Sequence, residues 1–530
     1  MMTRSKPLLL WIIAGLWCWS TAVADYTPEA LADQVDWSAL PGADELAVKD
    51  AFNMFAGYIT VDENNGRRIF YWFMEAQENA QEAPVILWTN GGPGCSGMLG
   101  LLTEHGPFQV RDGGETLVDN EFSWNKLANM LYVEIPSGVG FSYSDTTSDY
   151  KTGDDATAVD NYRFVQGWLD RFPNYRSNDF HISSESYGGH YMPQMAEEIL
   201  KRNELGRADD GSDPPINFVG FLVGNPYTDA LSNEVAQYEA YWGDQLLPKP
   251  VYDEWRKECV EGGYRSRGSG DLCDELEEAM DTFIGNLNPY ALDFPMCTEG
   301  VGENPVKRFP IRANGGRLQQ GSKRAIPRAP RVAMKEQLRR AWGEAGLKEE
   351  RTHVHASTVS TPYEPCAEDY TIQYFNRADV QAALHVKKGL EWMQCSVKVD
   401  YQISDMLRPM MPYYKRLLDN YDIKILVFSG DDDAVCATEG TQWWIYDLGY
   451  DVDESRFWKT WEEGGQVAGY ETRFKGARLS FVTVHSAGHE VPAYQPARAL
   501  KLLSKYLDGS WWGLGGQEDS VAAMSKTAMM

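Results

Sequence analysis

The chain has 530 residues, 43% apolar and 12% aromatic, with a formal charge of −28. This composition excludes a disordered polymer and leaves enough apolar material for a large core, either as one domain or as a domain with an insertion. Its acidic surface repels nucleic-acid phosphates and anionic lipid, and partial protonation in an acidic lumen would ease the self-repulsion.

At the start of the chain, Arg4 and Lys6 precede an apolar run from Leu8 to Trp17, which the small-x-small tripeptide Ala22-Val23-Ala24 follows. This predicts a secretory signal peptide over residues 1–24. A membrane anchor is the competing reading, and the shortness of the run disfavours it. No later apolar stretch is long enough to span a bilayer, so a soluble mature protein without membrane attachment is expected. Residues 25–46 form an N-terminal arm or a propeptide, and 511–530 a tail with no retention or lipidation signal.

Strand-like runs follow at Val85–Thr89, Met130–Ile135, Phe180–Ser183, Phe218–Val223, Lys424–Ser429 and Phe481–His485. Between the second and third, Ala158, Tyr162, Val165, Leu169 and Phe172 step at helical spacing. They predict a helix over 154–172 that Asp154 and Asp155 start and Pro173 stops. Alternation of strand and helix predicts an α/β fold with a mostly parallel sheet covered on both faces, its first part spanning 47–224 and its second 363–510. From 225 to 362 the strand rhythm lapses into an insertion with helical, Cys-containing stretches at Tyr252–Cys259 and Leu272–Ile284. Its Arg- and Lys-rich segment 300–360 reads as a solvated or excisable linker, because a nucleic-acid patch would need the aromatics it lacks.

If Cys18 leaves with the signal, seven of the eight cysteines enter an oxidising compartment. An odd count there predicts three disulfides and one free thiol. No paired C-x-x-C or His cluster is present, so no metal or other cofactor is expected. The sequence has no Asn-x-Ser/Thr acceptor for N-glycosylation.

The chemistry centres on Ser186, directly after the strand at Phe180–Ser183. A nucleophile elbow needs a serine on a tight strand-to-helix turn with small residues two positions either side. Gly188 fills the second place, and Ser184 replaces the usual first glycine. A hydroxyl nucleophile needs a base and an orienting carboxylate, which in hydrolases of this architecture follow in the order acid, then histidine. Asp431-Asp432-Asp433 follows one late strand, and His489, in a Gly/Pro turn, follows the next.

Four ordered boxes resemble those of the serine carboxypeptidase family. They are Trp88-Thr89-Asn90-Gly91-Gly92-Pro93-Gly94-Cys95-Ser96, Glu185-Ser186-Tyr187-Gly188-Gly189-His190-Tyr191-Met192-Pro193, Gly430-Asp431-Asp432-Asp433 and Ala487-Gly488-His489-Glu490-Val491-Pro492. The resemblance covers about Phe52 to Leu507. It implies an α/β-hydrolase fold with a helical, disulfide-containing cap. It also implies a carboxypeptidase that releases C-terminal residues through an acyl-enzyme, with Ser186 as nucleophile, His489 as base and Asp433 as its orienting acid. Backbone N–H groups of Gly92 and Tyr187 would form the oxyanion hole. Trp88, Asn90, Gly91 and Glu185, with Glu104 beside Glu185, would hold the terminal carboxylate of a peptide or protein. Two acids that close cannot both ionise cheaply, so one keeps a proton to donate, which predicts an acidic optimum.

The same resemblance implies disulfides Cys95–Cys395, Cys259–Cys273 and Cys297–Cys366. Cys436 would be either a free thiol beside the site or an inert buried one. Glu490 reads either as a selector of basic leaving residues or as a solvated rim residue. Such proteins reside in the vacuole or lysosome or outside the cell; dimerisation is left open. Competing readings are an acyltransferase on the same fold, which Glu185 in place of Asp disfavours, a non-catalytic protective partner, and an esterase or lipase.

Overall fold

The computed structural model describes residues 26–206, 213–261, 272–298 and 363–514. The expected signal peptide, the whole of the basic linker and most of the C-terminal tail lie outside the described residues. Ten strands form one sheet: β1 (Met54–Asp62), β2 (Arg67–Met74), β3 (Val85–Thr89), β4 (Asn129–Val133), β5 (Phe180–Glu185), β6 (Phe218–Gly224), β7 (Lys424–Gly430), β8 (Lys459–Glu463), β9 (Gln466–Arg473) and β10 (Leu479–Val484). Their spatial order is β1-β2-β4-β3-β5-β6-β7-β10-β9-β8. The central strands β4 to β10 in that order pair in parallel. Antiparallel strands extend the sheet at both ends.

All six strands read from the sequence are present, with no end displaced by more than two residues. The two outer hairpins were not read. In β2, Ile69 to Met74 are all buried, because both faces of the strand are covered and no polar alternation survives. The turn between β8 and β9 did carry a signal, Gly464-Gly465, both with positive φ.

Period-two alternation sends neighbouring side chains to opposite layers. Val85 and Leu87 join one apolar cluster, with Val133, Ile182 and Val427. Ile86 and Trp88 join the other, with Trp72, Tyr132 and Leu426. Truncating Leu87 to Ala in this core costs about 2–5 kcal/mol. Val35, Trp37, Leu40, Ala43 and Leu46 of the N-terminal arm are buried in the second cluster.

The helices that position the site are α1 (Asp154–Arg171), α2 (Gly188–Gly206), α3 (Ala230–Gly243), α4 (Lys249–Trp255), α5 (Leu272–Ile284) and α6 (Thr438–Asp447). Helices α3 to α5 belong to the insertion. They build a small core around Trp255 that also takes in Ala434 and Ala437, so the insertion sits on the loop after β7. Disulfides join Cys95 to Cys395, Cys259 to Cys273 and Cys297 to Cys366. A doubly covered parallel sheet with these crossovers is the α/β-hydrolase fold, and its loops converge at the carboxyl ends of β3, β5, β6, β7 and β10.

Candidate active site

Ser186 sits where β5 turns into α2, at φ 58°, in the left-handed region that only an over-determined turn imposes on a non-glycine residue. Its backbone is clamped: Ser186 N–H donates to Gly224 O at 3.0 Å, and Ser186 O accepts from Tyr227 N–H at 2.7 Å. The elbow has room for one β-carbon between positions 184 and 188, not two. A Cβ built on Gly188 would lie 2.4 Å from Ser184 Cβ, which explains why serine is tolerated at 184 while glycine stands at 188.

Of the three consecutive aspartates, Asp433 faces the histidine. His489 Nδ1 lies 2.7 Å from Asp433 Oδ2. Asp433 also accepts from Asn225 Nδ2 at 2.8 Å, Val435 N at 2.7 Å and Cys436 N at 3.1 Å. An acceptor-only carboxylate makes Nδ1 the donor, so a neutral His489 carries its lone pair on Nε2. Asp431 instead contacts the exposed His485, and Asp432 receives Asp293 N–H of the insertion.

Nε2 of His489 is buried with no hydrogen-bond partner among the described residues. The Ser186 hydroxyl neighbours the Cys436 thiol. With Nε2 unpartnered, the Ser186–His489 hydrogen bond is not made in this conformation, and a movement of the serine side chain is needed to form it. Burial lowers the His489 pKa, but the Asp433 charge and hydrogen bond, with Glu490 and Glu104, outweigh it and raise the value to about 9. Burial, followed by the Asp433 charge, pushes the Cys436 thiol well above its ordinary value, so it is a protonated, enclosed group.

The loop after β3 carries the second half of the site. Asn90 Oδ1 accepts from Trp88 Nε1 at 2.9 Å and from Gly100 N at 3.1 Å, which fixes the amide orientation. Asn90 Nδ2 then donates to both Glu104 Oε1, at 3.1 Å, and Glu185 Oε1, at 2.7 Å. Burial and the charge of Glu490 push Glu104 up to about 8, while burial and the charge of Glu104 push Glu185 well above the carboxylate range. Such a pair retains a proton and can donate to an anion.

A Cβ on Gly91 would lie 2.4 Å from Tyr187 N and 2.8 Å from Ser186 Cβ, so this loop runs directly over the elbow. Gly92 takes φ 112°, outside the range of most side chains. Ser96 N–H donates to Gln394 O and Ser396 N–H to Gly94 O, which together with the Cys95–Cys395 bridge dock the loop on the late part of the chain. Glu490 is part-buried beside Tyr494, and burial raises its pKa.

Two site neighbours were not read from the sequence. Asn225 is fully buried at the end of β6, where a polar residue closing an apolar run was the available signal. Tyr290, from the insertion, meets the His489 ring edge-on at 5.1 Å, and its backbone carbonyl accepts the His489 backbone N–H at 2.7 Å. No local pattern marks it.

A family model described as serine carboxypeptidase matches residues 41–509. Serine carboxypeptidase-like 26 of Arabidopsis thaliana is 37% identical over 465 residues, covering 86% of this chain and 90% of the relative. Serine carboxypeptidase 24 of the same plant is 35% identical, covering 96% of this chain and 98% of its own length. The fold is shared with the prohormone-processing carboxypeptidase Kex1(Δ)p of Saccharomyces cerevisiae. The TM-score is 0.67 at 20% identity, with 91% of this chain and 97% of that one covered.

Proposed function

The chain belongs to the serine carboxypeptidase family and is a serine-type carboxypeptidase hydrolase, and we propose that it releases single amino acids from peptide C-termini through an acyl-enzyme at acidic pH. The observation that carries this reading is the buried Glu104–Asn90–Glu185 cluster beside the Ser186 elbow. An esterase site has no use for two acids held protonated, whereas a free C-terminus needs donors close to the scissile bond.

In this reading Ser186 moves to meet His489, whose Nε2 accepts the hydroxyl proton as Oγ attacks the scissile carbonyl. The N–H groups of Gly92 and Tyr187 stabilise the oxyanion. The imidazolium, held by Asp433, passes its proton to the leaving nitrogen, and the C–N bond breaks to free the amino acid. Water then attacks the ester, with His489 as base, and restores Ser186. The terminal carboxylate of the substrate accepts from Asn90, whose Nδ2 exchanges one of its two acid contacts for the substrate, from the backbone near Gly91 and from a protonated Glu104 or Glu185, with Trp88 orienting Asn90. When Glu104 holds its proton, one of the charges that lift His489 is gone. Neutral imidazole then becomes accessible at lower pH. The three disulfides and the leader-like N-terminus support residence in the secretory pathway, in the vacuole or lysosome or outside the cell.

The test combines two measurements on the mature protein. A fluorophosphonate should label Ser186, and N-blocked dipeptides should release free amino acids faster at pH 5 than at pH 8. Labelling without amino-acid release, accompanied by acyl transfer to a small alcohol, would replace this reading with the acyltransferase one.

A further inference from the structure

The sequence marks Asp154 as an acid at a helix N-terminus, a place where carboxylates ordinarily face water. Here it is 1% exposed. All four of its side-chain hydrogen bonds come from protein donors: Tyr187 OH at 3.0 Å and Tyr401 OH at 2.7 Å on Oδ1, Gln194 Nε2 at 2.8 Å and His190 Nδ1 at 3.1 Å on Oδ2. Three of these donors lie within the nucleophile elbow and the first turns of α2. The His190 ring makes its one hydrogen bond to this carboxylate, because its Nε2 is buried without a partner among the described residues. Its ring stacks on Tyr187 with centroids 4.5 Å apart and planes at 14°.

We propose that Asp154 is a positioning residue for the oxyanion hole, fixing the Tyr187 side chain and the start of α2 so that the Tyr187 backbone N–H points at the developing oxyanion. This rests on the hydrolytic reading above. Tyr187 N faces the Gly91-Gly92 loop across the distance a single β-carbon would fill. The gap between the two oxyanion donors is therefore set by how firmly Tyr187 is held. A donor displaced by a few tenths of an ångström loses much of its grip on a tetrahedral centre and little on a ground-state carbonyl. A carboxylate suits the task because it accepts from all four donors at once. An amide must turn an N–H towards donors and break at least one bond. Burial raises the Asp154 pKa, but the His190, Tyr401 and Gln194 bonds outweigh it and hold the group below its ordinary value. It thus stays ionised in acid.

The experiment compares wild type, Asp154→Asn, Tyr187→Phe and the double variant on one blocked dipeptide, with folding checked by circular dichroism and thermal melting. Asp154→Asn should lower kcat about 10–100-fold with KM changed less than about threefold. Affinity for a peptide aldehyde, which forms a tetrahedral adduct on the serine, should fall by the same factor as kcat. Tyr187→Phe keeps the ring stack and loses one bond, so its kcat should fall less, roughly 3–10-fold, and the double variant should be no worse than Asp154→Asn alone. A folded Asp154→Asn enzyme with unchanged kcat and aldehyde affinity, or one whose loss appears only in KM, overturns the proposal. If Asp154→Asn does not fold, an unchanged kcat and aldehyde affinity in Tyr187→Phe does so. A wild-type protein that releases no amino acid overturns the peptidase reading instead.

Discussion

Asn225 Nδ2 donates to Asp433 Oδ2 at 2.8 Å while its own Oδ1 accepts from Gly430 N–H at 3.0 Å. One side chain at the end of β6 therefore sets the entry and the far end of the loop that presents the acid to His489. Asn225→Ala should lower kcat by about 10–100-fold and leave the fluorophosphonate-reactive serine in place, since the loss falls on imidazole orientation rather than on the nucleophile. A kcat within twofold of wild type would remove Asn225 from the site.

The paired acids lead to a prediction about KM. As pH rises through about 8, Glu104 loses the proton that the pair shares, and repulsion replaces donation. KM for blocked dipeptides should therefore climb with pH, while KM for substrates lacking a free carboxylate stays flat. Glu104→Gln and Glu185→Gln should flatten the peptide profile, each raising KM at pH 5 by roughly tenfold. Profiles identical to wild type would show that the pair plays no part in recognition.

The elbow predicts a rescue. Gly188→Ala brings two β-carbons to about 2.4 Å and must distort the turn, at a cost of about 1–3 kcal/mol and much of the activity. Adding Ser184→Gly removes the clash and should restore a large part of both. Melting temperature and kcat of the single and double variants decide the matter; additive losses would contradict the packing argument.

Stability should fall on the alkaline side. Glu104, Glu134 and Asp432 have pKa values raised by burial to about 8, 7 and 7, and His489, despite burial, is raised by Asp433 to about 9. Each binds its proton more tightly folded than unfolded. The resulting stabilisation is full below the unfolded values and disappears as pH rises through the folded ones. The melting temperature should decline by several degrees between pH 6.5 and 9, and Glu134→Gln should flatten part of that decline. A melting temperature that rises over this interval would contradict these assignments.

Cys436 gives a chemical test. Its thiol is enclosed and held protonated by burial and by Asp433, so iodoacetamide, which needs thiolate, should react slowly. A small mercurial that reaches it would occupy the space beside Ser186 and stop activity. Cys436→Ser should remain active and lose mercurial sensitivity; equal sensitivity would place the target elsewhere.

Much of this was legible in the sequence because it is local. The central strands announced themselves through apolar runs, the elbow through residues 184–188, and the order of acid and histidine through their places after late strands. What the sequence could not decide are relations between distant segments. Order and spacing offered three adjacent aspartates, of which the family resemblance singled out Asp433; the loop geometry, with Asn225 on a neighbouring strand and Asp432 engaged by the insertion, supplies the physical reason that Asp433 meets His489. The sequence suggested an ordinary helix-start acid at Asp154, and only packing buries that carboxylate among Tyr187, His190, Gln194 and Tyr401. The physical reason is the same in each case. Periodicity and turn chemistry are written in neighbouring residues, whereas burial and hydrogen-bond convergence depend on which strands become neighbours in the sheet.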